Sequence, residues 1–184
     1  MSFFLFPFRY LALHQYLGSS FLDLIPLPAA ARTAQLEPLV TNLWIGTRPT
    51  TSPLHYDDYE NLLCQIRGRK EVVLYPPSDI DLLYYVGRPK GKLVYEYPSK
   101  FTRDPATVQR GSFVFGSSVN MDKPDSLRFP KYKRATAFRV VLHPGDVLYL
   151  PAYWHHEVQS LPDEEGMNMA VNFWFKNVTF PIDD

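Results

Sequence analysis

From residue 39 onward the chain is cut into short apolar or aromatic runs separated by turn residues, with glycine, proline and aspartate as the punctuation. The runs are LVTNLWIG, NLLCQIRG, KEVVLYPP, GSFVFG, TAFRVVLHPG, DVLYLP, HHEVQS and MNMAVNFWF. Short runs of this kind with turn residues between them specify an all-β sandwich or barrel. Two turns stand out. Gly68-Arg69 separates QIR from KEVVLY and reads as a hairpin, and Pro144-Gly145-Asp146 separates two further runs with strong turn chemistry. A hydrophobic content of 46% over 184 residues supplies a core for one domain.

Ahead of the strands, residues 9–25 carry apolar groups at Leu13, Tyr16, Leu17 and Phe21, a spacing that predicts a helix, divided at Gly18 or ended by Pro26 and Pro28. Ala29 to Ala34 is expected to add a short helical turn. The opening MSFFLFPFRY has no leading basic residue and is interrupted by Pro7, so it lacks the form of a secretory signal. No stretch reaches the 20 or so apolar residues of a membrane span. Between residues 78 and 136 the strand signal weakens. Eleven basic residues face five acidic ones in 81–136, and seven prolines fall in 76–136, which suits a long irregular insertion rather than a continuous sheet. Loops on rigid scaffolds carry recognition, so substrate selection is expected there, with a solvated cover as the plainer alternative. The domain reading is therefore one unit over 1–184, with an N-terminal helical segment over 1–38 and a β core over 39–176 that includes the insertion.

The chemistry concentrates in SPLHYDDYENL and LPAYWHHEVQS. His55 and Asp57 are two residues apart, so in an extended segment their side chains share a face and can meet one ion. A third ligand must come from elsewhere, and His155 and His156 are the candidates. If Val158 faces the interior, alternation places His156 beside it and His155 on a wetter side with Glu157 and Gln159. Two imidazoles and one carboxylate on one face of an octahedral ion leave positions open, an arrangement suited to non-haem Fe(II). On its own, His-x-Asp is a common chance occurrence. Its setting beside strand runs gives it weight. Cys64 is the only cysteine, which excludes a disulfide framework and a Cys-rich zinc cluster and fits a reducing compartment, cytoplasmic or nuclear. Ser52, Ser117 and Ser160 lack a nucleophile elbow, and phosphate-loop and dinucleotide fingerprints are absent. A formal charge of zero says nothing for or against nucleic acid.

With these residues in view, NLWIG, SPLHYDDYENLLCQIRGRKEVVLYPPSD, LHPGDVLYLPAYWHHEV and MAVNFWF together resemble the JmjC-domain oxygenases. The wording is nearest to their hydroxylase branch, which includes the asparaginyl hydroxylase of hypoxia-inducible factor and a small JmjC lysyl hydroxylase. The resemblance spans about residues 39–176. It implies a double-stranded β-helix, a cupin-like jelly roll, that uses Fe(II), 2-oxoglutarate and dioxygen, with His55, Asp57 and His156 as metal ligands. It further implies that Lys70 pairs with the distal carboxylate of 2-oxoglutarate, that Ser52 assists there, and that Asn61 and Asn172 line the co-substrate pocket. The plainer readings are an exposed hairpin lysine and asparagines that satisfy strand edges.

The activity this implies is hydroxylation of an aliphatic carbon in a protein side chain, asparagine or lysine. Hydroxylation of a modified tRNA nucleoside, N-methyl-lysine demethylation and a non-catalytic binding module are the alternatives. The basic insertion mildly favours an acidic partner, yet it forms no stripe and matches no RNA-binding module. Little follows the last strand, where this group appends dimerising helices, so a monomer or weak dimer is expected.

Overall fold

The computed structural model describes residues 26–89, 93–96, 100–104 and 113–176. The helix expected over 9–25 lies outside them. Two compact units emerge, one formed by the chain up to Pro77 together with the chain from Thr136, the other by Ser78–Ala135.

The first unit holds a helical turn α1 (Ala29–Thr33), as expected from the alanine run, and eight strands: β1 (Val40–Gly46), β2 (Thr50–His55), β3 (Glu60–Arg67), β4 (Arg69–Tyr75), β9 (Phe138–Leu142), β10 (Val147–Leu150), β11 (His155–Leu161) and β12 (Asn168–Phe175). They form two antiparallel four-stranded sheets, ordered β1-β12-β3-β10 and β2-β11-β4-β9. Successive strands alternate between the sheets, save that β4 and β9 share one, which is the winding of a double-stranded β-helix. The second unit contributes two small ladders, β5 (Tyr85–Pro89) with β8 (Phe113–Ser117) and β6 (Leu93–Glu96) with β7 (Lys100–Arg103). Its strands are four or five residues long, so the proline-rich stretch breaks pairing into short pieces without abolishing it.

The period-two pattern explains what each face buries. Leu63, Val72, Leu142, Leu150 and Ala170 pack together between the sheets, with Leu74, Val140, Leu148 and Val158 against them. The opposite face of the β1-β12-β3-β10 sheet is also apolar. Val171, Phe173 and Phe175 pack there with Ala31 of α1, flanked by Leu27, Leu43, Leu62 and Cys64. Burying one such phenylalanine contributes about 1.5–3 kcal/mol. Cys64 is thus a packing residue, and burial pushes its thiol up to about 11.

Gly68-Arg69 is not a hairpin. β3 and β4 lie in different sheets, and the glycine turns the chain from one to the other. Local turn chemistry is the same in either case, and only the tertiary pairing distinguishes them. The Pro144–Asp146 turn also joins opposite sheets. There the Asp146 carboxylate accepts from the His143 amide at 2.7 Å, and the Asp146 amide donates to the His143 carbonyl at 3.0 Å. Gly68 has φ +68°, and a Cβ there would stand 2.5 Å from the Leu161 carbonyl oxygen and 2.7 Å from Asn168 Nδ2. Gly68→Ala therefore combines left-handed strain with a clash against backbone. It is expected to destabilise the fold by about 3 kcal/mol, lowering Tm by roughly 10 °C in a thermal melt.

Candidate metal centre

Strand register brings the two ligand segments together. His156 of β11 is paired directly with His55 of β2, and two residues along β11 Val158 is paired with Ser52, so β2 carries one extra residue between them. This bulge at Pro53-Leu54 turns Ser52 and His55 to the same side although they are three apart, and it accommodates a proline that a regular ladder would exclude. The imidazoles lie with centroids 4.3 Å apart at 53°. His156 Nε2 is 3.5 Å from Asp57 Oδ2, and one donor atom from each of His55, Asp57 and His156 falls within 4.8 Å of the others.

Both imidazoles are aimed by main-chain carbonyls. His55 Nδ1 is 2.8 Å from the Pro53 oxygen, and His156 Nδ1 is 3.0 Å from the Trp154 oxygen. A carbonyl only accepts, so each Nδ1 carries the proton and each Nε2 presents its lone pair, the tautomer a metal requires. Asp57 is held through its backbone, whose carbonyl accepts from the Tyr153 amide at 2.7 Å. Burial, then the neighbouring His55, pushes His156 down to about 3, so its ring is neutral at physiological pH. Burial foremost raises the Asp57 carboxyl, partly countered by His55. The contact between His156 and Asp57 is therefore no ion pair. It sets a lone pair against a carboxylate, an arrangement that a cation between them stabilises.

The expectation for His155 needs correction. It is 1% exposed and packs edge-on against Tyr56, not on a wet face. Alternation assigned it correctly to the face away from Val158, but in this sheet that face is buried as well, with Leu54, Val73 and Tyr75.

Lys70 lies on the inner face of β4, two residues before Val72, and is 4% exposed. Its ammonium donates to Ser160 Oγ at 2.6 Å and Asn168 Oδ1 at 3.2 Å, both neutral, and no carboxylate among the described residues pairs with it. Burial lowers it to about 8. Asn168 is fixed in turn by donating to the Arg69 and Leu161 carbonyls at 2.9 and 3.0 Å. Ser160 and Asn168 were not singled out as Lys70 partners in the sequence. The register Ser160↔Lys70 is a product of sheet topology and leaves no local signal. Ser52 is half-buried on β2, separated from Lys70's strand by β11, and is not bonded to Lys70.

Asn61 and Asn172 face inward on the other sheet, 5% and 3% exposed. Asn172 accepts from Trp44 Nε1 at 3.1 Å, whereas Asn61 Oδ1 and both amide atoms of Asn42 are buried without a partner among the described residues. Among the described residues the inner space therefore presents a three-point metal donor set, a buried cation with only neutral partners and several amide groups without a partner. This donor set and this charge fit Fe(II) and a dianionic keto acid, whose carboxylates would answer both demands.

Comparison with known proteins agrees. A cupin-like domain model matches residues 13–179. The HSPB1-associated protein 1 homolog of Danio rerio is 37% identical over 74% of this chain and 25% of its own length. The bifunctional peptidase and (3S)-lysyl hydroxylase JMJD7 of Homo sapiens is 33% identical over 81% of this chain and 45% of its own. The lysine-specific demethylase JMJ32 of Arabidopsis thaliana is 31% identical over 75% and 42%. The chain thus spans between a quarter and less than half the length of these relatives. By sheet winding, ligand triad and sequence, the chain belongs to the cupin-like domain family, in the JmjC branch of Fe(II)/2-oxoglutarate oxygenase folds.

Proposed function

We propose that this chain is an Fe(II)- and 2-oxoglutarate-dependent dioxygenase that hydroxylates an aliphatic carbon of a protein side chain. The observation that carries the reading is the facial grouping of His55, Asp57 and His156 within one barrel that also buries Lys70 with no carboxylate partner among the described residues. In this reading His55, Asp57 and His156 hold the iron, and Lys70, assisted by Ser52, holds the distal carboxylate of 2-oxoglutarate. Asn61 and Asn172 line the same pocket, while Ser160 and Asn168 keep the ammonium in place. Bound iron and keto acid together supply the oxidising power that unactivated C–H bonds demand. The chain's own residues orient, exclude water and hold charge, and no side-chain general base is required.

A protein substrate is supported by the relative whose name records lysyl hydroxylation, and by a hollow of about 310 Å³ walled by Leu74, Phe138, Tyr149, Pro151 and Trp154. These residues cluster where β4 and β10 end and β9 and β11 begin, the same end of the barrel as the triad. Leu74 is paired with His156 itself. The hollow has room for one large apolar side chain next to the target residue. Trp154→Ala is expected to raise the KM for a peptide substrate about tenfold, as loss of an aromatic anchor does, while leaving the KM for 2-oxoglutarate near the wild-type value.

The deciding experiment is mass spectrometry of candidate peptides and tRNAs after incubation with iron, ascorbate and 2-oxoglutarate. Gain of one oxygen atom on a peptide side chain supports the proposal, and gain on a nucleoside replaces the substrate class. Loss of methyl groups supports demethylation, the activity in the name of the Arabidopsis relative. Absence of iron-dependent 2-oxoglutarate turnover overturns the enzyme reading.

A further inference from the structure

Three residues past Asp57, Glu60 opens β3 and is 9% exposed. One of its oxygens, Oε2, accepts two hydrogen bonds, from the Tyr149 hydroxyl at 2.7 Å and from the Ala152 amide at 3.3 Å. Neither bond touches the metal donors. Yet Ala152 belongs to the segment Pro151–Trp154, which joins β10 to β11 and makes two of the three backbone contacts that aim the site, the third being the Pro53 carbonyl on His55. The Tyr153 amide donates to the Asp57 carbonyl at 2.7 Å, and the Trp154 carbonyl takes the Nδ1–H of His156 at 3.0 Å. The segment is bent, with Tyr153 at φ +65°, a left-handed conformation that a tyrosine does not choose on its own. It is held there from outside.

We infer that Glu60 is a positioning residue for the metal: its carboxylate, shared between Tyr149 and Ala152, fixes the loop whose backbone orients Asp57 and His156. The chemistry favours a carboxylate at this place. Both partners are donors, and a carboxylate oxygen accepts from both more strongly than a neutral amide oxygen would. Near burial strengthens the arrangement, because the carboxylate has little water to fall back on. The consequence is a set of distances. With Glu60 in place, the Trp154 carbonyl stays where His156 can present Nε2 toward Asp57. Without it, the loop relaxes and the third ligand loses its aim.

The inference rests on the metal reading above and is tested apart from turnover, by Co(II) titration of the full chain. Loss of an outer hydrogen bond to a metal ligand typically costs 10- to 100-fold in metal affinity. Glu60→Ala, which acts one bond further out, is expected near the lower end of that range, and Glu60→Gln, whose amide oxygen still accepts both bonds, below it. Tyr149→Phe, which leaves the Ala152 bond in place, should stay within about threefold. The visible spectrum of bound Co(II) should change in Glu60→Ala, as the imidazole of His156 reorients. Asp163→Ala serves as the comparison. It removes the 2.9 Å bond to Arg67 Nε and the Met167 amide bond at the far end of β11, so it costs stability without touching the loop. If Glu60→Ala binds Co(II) within twofold of wild type and with an unchanged spectrum, behaving like Asp163→Ala, Glu60 is merely structural and the inference is wrong. If the wild-type chain itself binds no Co(II), the metal reading falls with it. Should Glu60→Ala fail to fold, Glu60→Leu, which fills the space and accepts from neither donor, decides the matter alone.

Discussion

Lys70→Met is expected to weaken 2-oxoglutarate binding by about 10²- to 10³-fold while making the metal-free protein more stable. The two effects have one cause. The ammonium is 4% exposed and is met by Ser160 and Asn168, which accept hydrogen bonds but carry no charge. Such a cation is poorly compensated until a carboxylate arrives, and removing it afterwards strands that carboxylate in the same dry place. Burial lowers the ammonium from 10.5 to about 8. Between those two values the unfolded chain holds more protons than the folded one, so the stability of the metal-free protein rises as pH climbs through this window. The total rise is about 3 kcal/mol, an order-of-magnitude figure, and Lys70→Met abolishes it. Affinity for the dianion runs the other way. It is flat below about 8 and declines above, as the free protein gives up the proton the carboxylate needs. Thermal melts across this pH range, with calorimetric titration of 2-oxoglutarate, read both signs. A lysine that merely faced solvent would show neither.

How far the sequence reached depended on whether a signal was local. The inner strands announced themselves because Leu63, Val72, Ala170 and Leu150 sit in runs whose every second residue meets the core. His55 and Asp57 were legible for a similar reason: two residues of extended chain is a distance the backbone fixes. Choosing His156 over His155 needed only the parity of Val158. The picture of His155 on a wet side failed because it assumed a sheet with one dry face, and parity says nothing of what covers the other. Gly68 shows the same boundary. Its positive φ and tight surroundings are local and required a glycine, but whether the turn closes a hairpin or crosses between sheets is decided by β11 and β9 flanking β4, some 70 to 90 residues away. The partners of Lys70 and the Glu60 bridge were out of reach for this reason. Ser160, Asn168 and Tyr149 acquire their roles only from register between strands distant in the chain. In the proline-rich stretch Ser78–Ala135 the weak strand signal corresponds to ladders of four and five residues, too short to outweigh their turns.

Removing the carboxylate ligand has the largest expected effect. Asp57→Ala should lower turnover by at least about 10³-fold, with purified protein retaining almost no iron by elemental analysis, since ligand loss from a three-ligand site removes the affinity rather than trimming it. Asp57 is the only anion of the three, and His156, pushed down to about 3, is a neutral donor throughout the working range. The two imidazoles alone would leave a dication uncompensated in a largely buried place. Asp57 also contributes to the acid loss of metal binding. Burial raises its carboxyl above 3.8, so protons compete with metal at a higher pH than an exposed aspartate would allow, and affinity falls as pH drops through that raised value. The metal-free stability should move oppositely. A carboxyl whose folded pKa is raised disfavours the folded state as pH climbs past 3.8, so Asp57→Ala relieves a cost at neutral pH and should melt no lower than wild type. The backbone bond from the Tyr153 amide to the residue-57 carbonyl survives the substitution, which keeps the loop in place. A variant that loses iron and turnover while holding its melting temperature marks Asp57 as a ligand. One that loses all three together would make it a structural residue, and the facial site would have to be sought elsewhere.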